Sequence, residues 1–147
     1  MNPKNLFTRI VAGIIYIAVI LVGILGGKYS FIGVFGLFLI IGLYEFYRMT
    51  EKNTSHAISK AFNIASGFLI FLSAYLYLEN ICRIALPLTS ITYLLILFAS
   101  AIFINRKDIL HAIIYSFFGQ IYITLPLSIL MLLSYQYQTL SNEYYYA

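Results

Sequence analysis

Glu45 is the residue whose type and setting carry the most chemical information. It stands inside an apolar stretch, Gly42-Leu43-Tyr44-Glu45-Phe46-Tyr47-Arg48. A carboxylate in apolar surroundings is costly to keep ionised, so it is usually paired or functional. Arg48 follows three residues later, on the same face if the stretch is helical. The expectation is a structural intramembrane ion pair between Glu45 and Arg48. A partner in another helix and direct catalysis are the alternatives.

The cations come next. Arg9, Arg48 and Lys52 are candidates for contact with a lipid phosphate, Arg9 foremost, because a guanidinium fork grips phosphate through two parallel hydrogen bonds. The plainer role for these residues, and for Lys60, Arg106 and Lys107, is anchoring at a membrane surface with stems laid along apolar groups. His56 and His111 lack the neighbours that a metal centre requires. Only the Asp108–His111 pair has helical spacing, and one pair is a weak metal signal. No metal ligand set is assigned. Cys82 is the single cysteine, so no internal disulfide can form.

Several chemistries are excluded by what the sequence lacks. It contains no phosphate-cradling glycine loop followed by Lys, no nucleophile elbow and no His-Glu-x-x-His. A magnesium-assisted phosphoryl transfer needs carboxylates converging on the metal. Asp108 is the only aspartate, and Glu45, Glu51 and Asp108 are not spaced to converge. No catalytic residue is therefore assigned.

The elements that must position these residues follow from composition. Of 147 residues, 62% are hydrophobic and 10% charged, and the mean hydropathy is +0.91. A soluble domain carries about 25% charged residues, so an ordinary water-facing surface is out of reach. A soluble domain, a disordered chain and a nucleic-acid-binding module are all excluded. The reading is an all-α, polytopic transmembrane bundle of about five spanning helices.

The charges punctuate the chain into spans at about 9–26, 30–49, 61–78, 84–104 and 111–134, the last followed by a Tyr-rich interfacial tail. Gly26-Gly27-Lys28-Tyr29-Ser30 is a tight connection. Glu51 to His56 and Asn105 to Asp108 are polar turns. Pro87 falls in the first turn of its helix, where a missing N–H costs little. Pro126 falls inside the last span and should kink it, with Thr124 able to satisfy a freed carbonyl. Gly23 with Gly27, and then Gly33, Gly36 and Gly42, permit close helix approach. Tyr135, Tyr137 and Tyr144 to Tyr146 suit an aromatic belt.

With the N-terminus in the cytoplasm, Lys4, Arg9, Arg48, Lys52, Lys60, Arg106 and Lys107 lie inside, and only Lys28 and Arg83 outside. This asymmetry favours a cytoplasmic N-terminus. The N-terminal apolar run is too long for a cleaved signal peptide and is followed by further spans.

Three segments resemble bacterial phosphatidate cytidylyltransferases, the CDP-diacylglycerol synthases. They are the opening Lys4-Asn5-Leu6-Phe7-Thr8-Arg9-Ile10, the aromatic-Glu-aromatic end of span 2 at Tyr44-Glu45-Phe46-Tyr47-Arg48, and Phe117-Phe118-Gly119-Gln120-Ile121-Tyr122. The hairpin Gly26-Gly27-Lys28-Tyr29-Ser30-Phe31 matches in style. The family's C-terminal signature of Ser, Lys-Arg, Lys-Asp and His-Gly-Gly leading to Asp-Arg has no counterpart here.

The resemblance implies several things. Residues 1–147 are the N-terminal transmembrane region of a longer enzyme whose catalytic half is absent. That enzyme joins CTP and phosphatidic acid to give CDP-diacylglycerol and pyrophosphate, in phospholipid biosynthesis at the bacterial inner membrane. Mg2+ is the cofactor, bound by the missing half. The partners are phosphatidic acid and CTP, with a homodimer as one option and no nucleic acid. The chain alone is expected to be inactive. The competing expectation is a small non-enzymatic membrane protein, a transporter subunit or an assembly factor.

Overall fold

The computed structural model describes residues 3–50, 58–103 and 109–146, with side chains described at 9–11, 13–50, 58–100, 102–103 and 109–135. The elements are α1 (Pro3–Leu25), α2 (Lys28–Thr50), α3 (Lys60–Leu78), α4 (Ala85–Phe103), α5 (Ile109–Gly119), a π-helical segment (Gln120–Thr124) and α6 (Leu125–Tyr146). No strand occurs among the described residues. Runs of Leu, Ile, Phe and Ala have no competing turn signals, and in lipid only a helix satisfies every backbone group within its own segment.

Lys28–Thr50, Lys60–Leu78 and Ile109–Tyr135 are long and apolar enough to cross a membrane. Arg9–Leu25 and Ala85–Ser100 are shorter apolar stretches. The sequence-derived spans therefore fall on the observed helices. The difference is at the end, where the helix continues to Tyr146 instead of ending near residue 134. Side chains of Tyr137 and Tyr144 to Tyr146 lie outside the described residues, as do the Glu51 to His56 and Asn105 to Asp108 turns.

Two compact units divide the chain, Met1–Gly36 and Leu37–Ala147. In the first, α1 ends at Leu25 and Gly27 takes φ +87°, a left-handed conformation that glycine adopts without steric cost. Gly26 leaves room for Ser30, whose hydroxyl donates to the Val22 carbonyl at 3.1 Å. Gly23 packs against Val34 and Phe35, where an added Cβ would sit 3.1–3.2 Å away. Gly33 meets open space, so the expected glycine stripe is only partly a packing surface.

In the second unit α3 packs most extensively on α4. Their turn carries Asn80 at φ 56° and a hydrogen bond from Arg83 Nε to Asn80 Oδ1 of 3.0 Å. Cys82 in this turn is exposed. Further along, the Ser73 and Thr89 hydroxyls meet at 2.8 Å. Leu39, Leu43, Phe71 and Leu97 form a fully buried apolar core. Many large apolar side chains are exposed, among them Ile102, Phe103 and Leu110, which suits lipid surroundings and not water.

The ladder between α5 and α6 widens at Gln120–Thr124, where the Leu125 N–H reaches the Gln120 carbonyl. A π segment just before Pro126 is thus the irregularity that the proline signalled. The expected role of Thr124 is corrected. Its hydroxyl donates to Gln120 Oε1 at 2.7 Å instead of to a freed carbonyl. The reason is proximity, since the Gln120 amide lies one turn back inside the same buried cluster.

Candidate functional site

The most organised chemistry lies inside the second unit, in a buried cluster of uncharged polar side chains. Asn63, Ser116, Gln120 and Thr124 are each at most 7% exposed. Asn63 donates from Nδ2 to the Ser116 hydroxyl at 2.8 Å. Gln120 donates from Nε2 to the Asn63 carbonyl at 2.7 Å and accepts from Thr124 at 2.7 Å. Tyr47 donates to the Ser116 carbonyl at 2.9 Å. The single hydroxyl hydrogen of Tyr93 is shared between the Ser116 carbonyl at 3.1 Å and Asn63 Oδ1 at 3.2 Å.

Four helices and the π segment contribute to this cluster. Two phenols converge on the Ser116 carbonyl, one turn ahead of the widened ladder. Two glycines make the cluster possible. A Cβ at Gly67 would collide with Leu43, and would sit 2.8 Å from Gln120 Oε1 and 3.0 Å from Thr124 Oγ1. A Cβ at Gly119 would collide with the Tyr47 phenol. Neither glycine belongs to the stripe that spacing suggested.

The cluster sits towards one end of the bundle. Tyr47 is three residues before the end of α2, and Asn63 is three residues after the start of α3. At 1.5 Å per residue each is about one helical turn from the α2–α3 connection. The positive-inside reading places that connection in the cytoplasm. Chemically, the arrangement holds helices in register and offers neutral donors and acceptors. It contains no carboxylate, thiol or imidazole, and the Tyr47, Tyr93 and Thr124 hydroxyls all donate within the protein.

The residues singled out from sequence lie elsewhere. Arg9 is exposed on α1, and Glu45 and Arg48 are exposed on α2. No ion pair joins Glu45 to Arg48 among the described residues. Lys52, His56 and Asp108 lie outside the described residues, and His111 is exposed. The Lys60 ammonium stands 5.6 Å from the Tyr44 ring centroid, a cation–π contact at the start of α3. No group of three His, Cys, Asp or Glu that could hold a metal occurs among the described residues. The described side chains therefore do not form a magnesium centre.

Asn63, Ser116 and Thr124 were not identified from sequence as site residues. The available signal was the amides, because Asn63 and Gln120 are the two that fall inside the apolar spans. Buried amides in a membrane span require partners.

Comparison with known proteins adds the chemistry that the cluster lacks. No curated protein and no solved structure matches the chain. The cytidylyltransferase family model matches residues 7–143, a range that reaches every helix described above. The matched region includes the whole polar cluster and its two glycines. On that match, this helical membrane chain belongs to the cytidylyltransferase family of CTP-using transferases.

Proposed function

We propose that the chain is part of a phosphatidate cytidylyltransferase. A phosphatidate phosphate oxygen attacks the α-phosphorus of CTP, the bond to the β-phosphate oxygen breaks, and pyrophosphate leaves with CDP-diacylglycerol as product. One observation carries the reading. A family of CTP-using transferases is matched by a chain with three membrane-length helices. A water-soluble acceptor gives a cytidylyltransferase no reason to be embedded in lipid, whereas an acceptor with acyl tails does.

In this reading residues 1–147 supply the membrane scaffold. Mg2+ and the carboxylates that hold it belong to a catalytic segment outside these residues. Arg9, Arg48 and Lys52 supply surface charge for the lipid phosphate, and the site of action is the bacterial inner membrane. The polar cluster fixes the helices on which that segment rests.

The test is transfer of label from α-32P-CTP into chloroform-soluble lipid in phosphatidate vesicles. A protein that joins this chain to a catalytic segment should label lipid, and the 147-residue chain alone should not. Lipid labelling by the short chain would overturn the scaffold assignment. Labelling of a soluble acceptor by the longer protein, with none of lipid, would overturn the substrate.

A further inference from the structure

We propose that the π segment is a hinge inside the membrane, about which α6 swings across an apolar groove towards α4. Three features loosen the helix at this point. The ladder widens at Gln120–Thr124. Pro126 has no N–H to donate to the turn behind it. The Ser128 hydroxyl bonds back to the Thr124 carbonyl at 2.8 Å, an arrangement that bends helices. Sharp kinks in helices arise at prolines and at π-bulges, and here the two stand side by side. The proposal does not depend on which substrate the enzyme takes.

The two sides of the hinge are held unequally. Before it, Ala112, Ser116, Gly119, Gln120 and Thr124 are buried. Ser116 and Gln120 are also hydrogen-bonded to α2, α3 and α4. After it, from Pro126 to Tyr135, Met131 is the one buried residue. Methionine has three rotatable side-chain bonds and adapts to a changed packing. The first half is thus fixed to the bundle, and the second is seated by a single adaptable side chain.

The groove supplies the room for the swing. α6 packs against α3. Ser128 and Leu132 of α6 line one wall of the groove and Leu86 and Ser90 of α4 line the other, around a space of about 340 Å³. Leu132 lies eight residues past Thr124, about 12 Å along the axis. A swing of about 20° carries it about 4 Å, one carbon–carbon contact distance, so a gap one methylene wide closes. The open arm leaves the groove wall at Ala74 and Tyr93 reachable from the membrane, and the closed arm covers it.

The test is double electron–electron resonance on the full chain in vesicles of phosphatidylethanolamine and phosphatidylglycerol, with Cys82→Ser to remove the exposed native thiol. Spin labels are placed at exposed positions, Leu88→Cys on α4 with Leu133→Cys on α6. A second pair, Leu95→Cys on α4 with Phe118→Cys on α5, reports the fixed half. Leu133 lies about 14 Å beyond the hinge, so the first pair should give two distances about 5 Å apart for a swing of about 20°. The second pair should give one narrow distance. Ser90→Phe fills the groove and should leave only the longer distance of the first pair. A first-pair distribution as narrow as the second would overturn the proposal, whether or not Ser90→Phe folds. So would two distances that both persist in Ser90→Phe.

Discussion

Asn63→Ala is the sharpest probe of the buried cluster. The side chain is 2% exposed and makes two hydrogen bonds, from Nδ2 to Ser116 Oγ and from Tyr93 to Oδ1. Hydrogen bonds between membrane helices average about 0.6 kcal/mol and reach about 1.7, so the pair is worth about 1.2 kcal/mol. Removing the amide from a packed site adds a cavity cost of about 1 kcal/mol. The expected loss is about 2 kcal/mol, roughly thirtyfold in the folded-to-unfolded ratio.

Tyr93 keeps its second acceptor, the Ser116 carbonyl at 3.1 Å, which is why the loss should not reach the cost of a fully stranded donor. The assay is unfolding by SDS in mixed micelles, followed by near-ultraviolet dichroism of the 14 tyrosines, with no tryptophan to interfere. A double-mutant cycle with Ser116→Ala isolates the shared bond and should give a coupling of about 0.6 kcal/mol. Strict additivity, or Asn63→Ala as stable as the parent, would refute the placement of the amide.

Two further outcomes follow from the same geometry. Gly67→Val should destabilise the bundle by about 1–3 kcal/mol through overpacking against Leu43 and Gln120. Gly33→Ala, which meets open space, should be neutral or stabilise by up to about 1 kcal/mol through helix propensity. Equal effects in the SDS titration would show that the Gly67 clearance is not there. Alkaline phosphatase fused after Asn53 should be inactive in a bacterium and the same reporter after Ala147 active. The reverse pattern would break the five-span arrangement with a cytoplasmic N-terminus.

The helices were legible because charge is scarce. Each cation or acid is expensive in lipid, so charges collect at helix ends and mark them within a residue or two, as Lys60 and the boundary near Arg83 do. The end of the last helix was not legible. Gln, Ser and Tyr beyond residue 134 weaken the apolar signal without opposing helix formation. The polar cluster was hidden for a different reason. Asn63 and Ser116 are 53 residues apart, and an uncharged polar residue in an apolar span announces neither its partner nor its distance. Glu45 drew notice by its charge, yet it lies on the exposed side of α2, and the neighbouring Tyr47 is the residue that reaches inward.

The π segment has a consequence for how this helix can change over time. An α-helix turns about 100° per residue, and an i→i+5 ladder carries one residue more than the α register needs. Deleting a single residue between Gln120 and Thr124 would restore the ordinary ladder. The wide turn absorbs that extra residue, so α6 would keep its facing relative to α5 and Met131 would stay in the core. The same deletion elsewhere in the run from Ile109 to Tyr146 would turn all later residues by about 100°. Gln120–Thr124 is thus the stretch of this helix where the loss of one residue leaves the α6 surface in register.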